Sequence, residues 1–141
     1  MDRAGGLTDV PTRGRLHHLE LWVPDLDRAA TTLGWLLEQL GHTRTDTWGT
    51  GASWTLGDTY VVLESGPDVV AAPHERRRPG LNHVAFHAGT RQDVDVLTAA
   101  AQERGWTLLF PDVHPHAGGP DHYAAYLEDG DGFEVELVAS G

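Results

Sequence analysis

Hydrophobic residues alternate with polar ones over Leu16–Val23: Leu19, Leu21 and Val23 fall on one side, and His18, Glu20 and Trp22 on the other. That period of two predicts a β-strand with one face buried. Pro24-Asp25 stops it, and Asp25 is placed to cap a helix. Beyond it, Leu26, Ala29, Ala30, Leu33, Leu36, Leu37 and Leu40 recur at helical spacing up to Gly41, which suits the end of a helix. Shorter strands are expected near His42–Asp46, Ala52–Leu56 and Thr59–Glu64. The turn signals Gly49-Thr50-Gly51 and Gly57-Asp58 separate them.

The same order then returns. A strand near Leu81–Ala88 leads to Thr90, a second cap, with Asp93 in the carboxylate position of a capping box. Val94, Leu97 and Ala101 form the apolar stripe of a helix closed by Gly105. A strand pair near Tyr123–Glu128 and Phe133–Ala139 is joined by Asp129-Gly130-Asp131-Gly132. The chain therefore reads as a βαβββ unit occurring twice, with extra residues inserted at Val113–His122. The expected class is α+β, two βαβββ modules whose strands make a cup-shaped mixed sheet. The expected organisation is a loose arm at 1–14, module one at 15–66, a linker at 67–79 and module two at 80–139. Arg76-Arg77-Arg78 reads as part of a solvated linker.

Composition narrows the partners. Ten basic against 21 acidic residues leave a net charge of −11 and a pI near 5.0, which disfavours nucleic acid and anionic membrane surfaces. A hydrophobic fraction of 40% suits a globular domain of this length. There is no cysteine, and all ten basic residues are arginine. Thiolate and lysine Schiff-base chemistry are thereby excluded. With no apolar run at the N-terminus and none of membrane-spanning length, a cytoplasmic protein is expected.

Strand parity selects the candidate chemistry. His18 faces away from the apolar set of its strand, as does His83, which shares a face with Ala85 and His87. Glu64 lies with Tyr60 and Val62, and Glu136 with Glu134 and Val138. Two histidines and two carboxylates facing one cleft suit a divalent first-row ion such as Zn, Ni, Fe, Mn or Co.

His18-Leu19-Glu20-Leu21-Trp22-Val23-Pro24-Asp25, Leu81-Asn82-His83-Val84-Ala85-Phe86 and Asp129-Gly130-Asp131-Gly132-Phe133-Glu134-Val135-Glu136 together resemble the vicinal oxygen chelate superfamily, which includes glyoxalase I, extradiol dioxygenases and bleomycin-binding proteins. The resemblance spans roughly residues 15 to 139. It implies metal ligands at His18, Glu64, His83 and Glu136, with Glu136 and Glu64 also catalytic. His87, Tyr126, Trp22, Trp54 and His122 are expected to line the substrate site, and Trp48 joins Trp22 and Trp54 as a candidate for an aromatic pocket. His114, His116 and His122 form either a substrate lid or a solvated loop.

The implied function is a metal-dependent isomerase, lyase or epimerase acting on a small substrate with vicinal oxygens, in a homodimer. Two alternatives accompany it. One is a non-catalytic protein that binds an antibiotic or natural product. The other is an Fe(II) extradiol dioxygenase using His18, His83 and Glu136, with Tyr126 or His87 nearby.

Overall fold

A computed structural model describes residues 12–141. Most of the expected arm, residues 1–11, lies outside the described residues. Module one runs β1 (His18–Trp22), α1 (Leu26–Ala29), a wide π turn (Ala30–Gly34), α2 (Trp35–Gln39), β2 (Thr43–Thr47), β3 (Gly51–Leu56) and β4 (Thr59–Glu64). Module two runs β5 (Val84–His87), α3 (Arg91–Gln102), β6 (Thr107–Leu108), β7 (Ala124–Glu128) and β8 (Glu134–Val138). The short β6 completes the second βαβββ unit.

Local chemistry accounts for the helix ends. The Asp25 carboxylate accepts the Arg28 N–H, and Thr90 with Asp93 makes both bonds of a capping box. Gly41 and Gly105 close the two helical segments at φ +100° and +95°, a region that costs glycine little. The first helix departs from the regular one expected. It widens into a π turn where Gly34 meets the fully buried Trp54; a Cβ on Gly34 would stand 2.6 Å from the indole Cζ2.

Two four-stranded sheets result, in the orders β1-β4-β3-β2 and β5-β8-β7-β6. In each the first and fourth strands run parallel and the remaining pairs antiparallel. The edge strands β1 and β5 are not paired with each other, so the mixed sheet is two sheets rather than one. Leu21, Leu63 and Trp54 of the first sheet and Val135, Leu137 and Leu127 of the second share a single core with Leu33, Leu36 and Leu37. Each fully buried leucine there contributes roughly 2 kcal/mol of burial free energy. Both sheets turn their apolar faces to this common core. The opposite face of the first sheet is open, with His18, Glu20 and Trp22 exposed on it, whereas on that of the second Glu134 and Glu136 are buried.

The modules are clamped at two places. Arg28 donates from Nε and Nη2 to the two carboxylate oxygens of Asp131 at 3.0 and 2.8 Å. Arg104 lies over the Trp35 ring, 4.8 Å from its centroid. Of the three linker arginines expected in solvent, Arg76 is built in, while Arg77 and Arg78 are exposed. Arg76 reaches Glu128 and the buried Glu134, both at 3.1 Å, and Arg77 pairs with Glu75.

Candidate active site

Module two brings four of the expected residues to one point. Glu136, on the middle strand β8, is 5% exposed. His83 precedes β5 on its flank, and its Nε2–H donates to Glu136 Oε1 at 3.1 Å. His122 arrives from the inserted loop and donates to the other oxygen, Oε2. Tyr126, directly across from Glu136 on β7, brings its hydroxyl close to the carboxylate. A buried carboxylate is tolerated only with such donors around it. Burial first, then the bond to Glu136 and its charge, push the Tyr126 phenol up to about 12, so it stays a donor at neutral pH.

The flanks of the site are fixed in turn. Asn82 donates its amide to the Arg76 carbonyl at 3.1 Å, which leaves its oxygen facing His83 Nδ1 at 2.7 Å. Both ring nitrogens of His83 therefore face oxygen acceptors. Tyr126 is met edge-on by His83 and by Phe110, with ring centroids 5.7 and 5.6 Å away.

The other two expected ligands lie on the open face of the first sheet. The His18 ring stacks on Tyr60 at 4.7 Å, and its Nδ1 is 2.9 Å from that of His17. Glu64 accepts the Trp48 indole N–H at 2.8 Å, and Thr50, Trp48 and Gly66 together hold its carboxyl below the usual range. Parity thus placed His18 and Glu64 on the open face, but register separates them. In β1·β4, His18 is level with Tyr60, and Glu64 with Trp22. In β5·β8, Ala85 is level with Glu136; one more step at each residue sets His83 level with Glu134. Glu136 therefore lies two residues past its histidine's partner. The same position in module one is Val62, and Glu64 lies two residues further along.

The remaining candidates divide. Trp22 is 50% exposed on the open face and donates to Glu20 at 2.8 Å. With Glu64 and Thr50 it lines a hollow of about 270 Å³. His87, at the end of β5, borders a separate hollow of about 270 Å³ between the modules, shared with His18, Tyr60 and His42. Trp54, expected in an aromatic pocket, is instead in the core at 0% exposure, donating to Glu38 at 2.9 Å. It belongs to the helix-facing side of β3, where its size is used for packing. Arg76 and Asn82 were not singled out as site residues, because nothing local in the sequence marks a linker arginine or an asparagine for this face.

As ligands, the His83 imidazole and Glu136 carboxylate suit a divalent ion. They make only half the expected set, however. Among the described residues no group of three or more histidine, aspartate or glutamate side chains is arranged to hold a metal ion.

The sequence profile of the glyoxalase/bleomycin resistance protein/dioxygenase superfamily matches residues 17–126. The chain belongs to that superfamily. Its membership, and the paired βαβββ modules that go with it, agree with the resemblance read from the strand and turn motifs. The uncharacterized protein YqjT of Bacillus subtilis (strain 168) is 41% identical over 125 residues, covering 88% of this chain and 98% of that one. A crystal structure of a glyoxalase-like protein from Bacillus halodurans is 43% identical, with a TM-score of 0.85 over 91% of this chain and 97% of that chain. A variant of the fosfomycin resistance protein FosX from Listeria monocytogenes was solved with Mn(II) and 1S,2S-dihydroxypropylphosphonic acid. It is 20% identical over 91% of both chains, with a TM-score of 0.63, and is like this superfamily member in fold alone. Among the described residues no helix is long and apolar enough to cross a membrane.

Proposed function

We propose that this protein is a small-molecule enzyme of the glyoxalase-like type, working on a substrate with vicinal oxygens at the face of module two turned away from the core. The observation that carries this reading is the buried Glu136 carboxylate with His83, His122 and Tyr126 converging on it. Convergent titratable groups around one buried carboxylate are the arrangement acid–base chemistry uses. Glu136 is the base that takes a proton from carbon next to a carbonyl. His83 holds one of its oxygens in place, and with Tyr126 it is the donor nearest the negative charge that forms on the substrate oxygen.

His83 and Glu136 would hold a divalent ion in place of the proton between them, with His18 of a second copy of the chain completing the set. Such an ion, when bound, supplies a Lewis-acid contact for two substrate oxygens. Glu64 stays with Trp48 and Thr50 and lines the module-one face. The homodimer and the metal belong to this proposal together.

Metal titration tests it directly. Mn(II) or Zn(II) is expected to bind the wild type, and His83→Ala, Glu136→Gln and His18→Ala are each expected to abolish binding. Mixing His18→Ala with His83→Ala protein should restore part of it, because one intact site re-forms between unlike copies. Solvent deuterium exchange into α-hydroxycarbonyl compounds, followed by NMR, reads the chemistry. Exchange that persists in Glu136→Gln would remove Glu136 from the base role.

A second reading, sequestration of an aromatic ligand without turnover, is favoured by the face of module one. Trp22 and Trp48 are 50% and 41% exposed there, their indoles held by Glu20 and Glu64. Tight binding of an aromatic compound that quenches tryptophan fluorescence, undiminished in Glu136→Gln, would support it.

A further inference from the structure

Of the two oxygens of Glu136, Oε1 meets His83 on the flank of the sheet, and the Tyr126 hydroxyl of β7 lies beside that pair. The Oε2 partner comes from outside the sheet, on the loop that holds the residues inserted between β6 and β7. Three features show that this loop is shaped to deliver it. Gly118 packs directly against the His122 ring and the Tyr126 hydroxyl; a Cβ there would stand 2.5 Å from His122 Cδ2 and 2.7 Å from the Tyr126 oxygen. The loop folds back on itself, with Ala124 N–H donating to Pro115 O at 3.0 Å, His122 N–H to Gly119 O at 3.1 Å, and His116 Nδ1 3.3 Å from the His122 carbonyl. At its start Phe110 takes φ +53°, an uncommon conformation for a bulky residue, and lays its ring edge against Tyr126. Backbone held in such a region is maintained by its surroundings and is frequent at functional sites.

We propose that His122 is a positioning residue that closes the second oxygen of Glu136, so that whatever binds this carboxylate must first displace His122 and the loop behind it. The inference rests on the reading of Glu136 as the centre of the site. It adds that access to Glu136 is set by the insertion and not by the sheet. A ligand that reaches Glu136 through Oε2 competes with the imidazole. One able to replace the His122 N–H with its own donor, such as a substrate hydroxyl, loses least by the exchange.

Carboxyl footprinting of the metal-free, substrate-free protein tests this without any activity. Carbodiimide with glycine ethyl ester labels accessible carboxylates, and mass spectrometry reads each one. His122→Ala and Gly118→Ala are expected to speed labelling of Glu136 by about tenfold, the opening that follows loss of one hydrogen bond to a charged group. His122→Gln retains an N–H donor and is expected to stay near the wild-type rate. Glu134, buried on the same face and paired with Arg76, is expected to remain protected throughout.

Unchanged Glu136 labelling in both opening variants would overturn the proposal. So would a His122→Gln variant that opens as far as His122→Ala, since His122 would then act by bulk alone. Exposure of Glu134 together with Glu136 would overturn it as well, because the loop would be supporting the whole face. Mn(II) titration separates the proposal from the reading beneath it. Tighter binding by His122→Ala supports displacement, and weaker binding would make His122 a ligand instead. Failure of every form to bind metal would remove the ion from the proposed function and leave the footprinting result standing.

Discussion

Asp129 carries an uneven load within a single side chain. Its Oδ1 accepts the backbone N–H groups of Asp131 and Phe133, both at 2.9 Å, which shapes the turn between β7 and β8. Its Oδ2 is buried without a partner. Burial pushes this carboxyl up to about 6, against the two backbone donors that favour its charged form. The sign follows from proton linkage. Below about pH 4 the group is protonated folded or unfolded, and above about 6 it is ionised in both states, so the fold then bears the full cost of the buried charge. Its contribution to stability should therefore fall by about 3 kcal/mol as pH rises from 4 to above 6. Asp129→Asn keeps a carbonyl acceptor for both N–H groups and has no charge to bury. Urea midpoints across pH 4–8 should show the variant gaining on the wild type as pH rises. Two parallel profiles would mean that the buried oxygen carries no such cost.

The helix of module one shows how one residue can decide an element. Its sequence has the spacing of a regular helix, and Asp25 caps it as expected. Yet residues Ala30–Gly34 open into a π turn, with the Thr31 hydroxyl donating to the Arg28 carbonyl at 2.7 Å. Such widened turns are usually tied to a particular packing need. Here the need is the Trp54 indole, which occupies the space beside Gly34. Gly34→Ala should cost about 1–3 kcal/mol through overpacking, although alanine is the better helix former. Gly49→Ala, with open space around it, serves as the control. Equal urea midpoints for the two variants would show that the turn has room to spare.

Across the whole molecule, the linker and the last turn lock together. His74 donates its N–H to the Asp131 carbonyl at 2.8 Å, and its ring stacks on Phe133 at 4.7 Å. Gly132, at φ +91°, lies so close that a Cβ would fall 2.1 Å from the His74 carbonyl oxygen. Gly132→Ala is expected to destabilise the protein by about 2 kcal/mol or more and to sensitise the linker to protease. An unchanged melting temperature with an intact linker would refute that. Much of the architecture was legible in the chain itself. Periodicity, caps and turn glycines are local properties, so the duplicated βαβββ order and the side of each strand that carries His18, Glu64, His83 and Glu136 could be read without coordinates. Position along a strand was not legible, because register is set by partners far away in sequence. Only the pairing of β1 with β4 and of β5 with β8 shows that Val62, and not Glu64, corresponds to Glu136. The same limit hid Trp54 in the core, Arg76 on Glu134 and His122 on Glu136, since each depends on a contact between segments that the chain brings together only by folding.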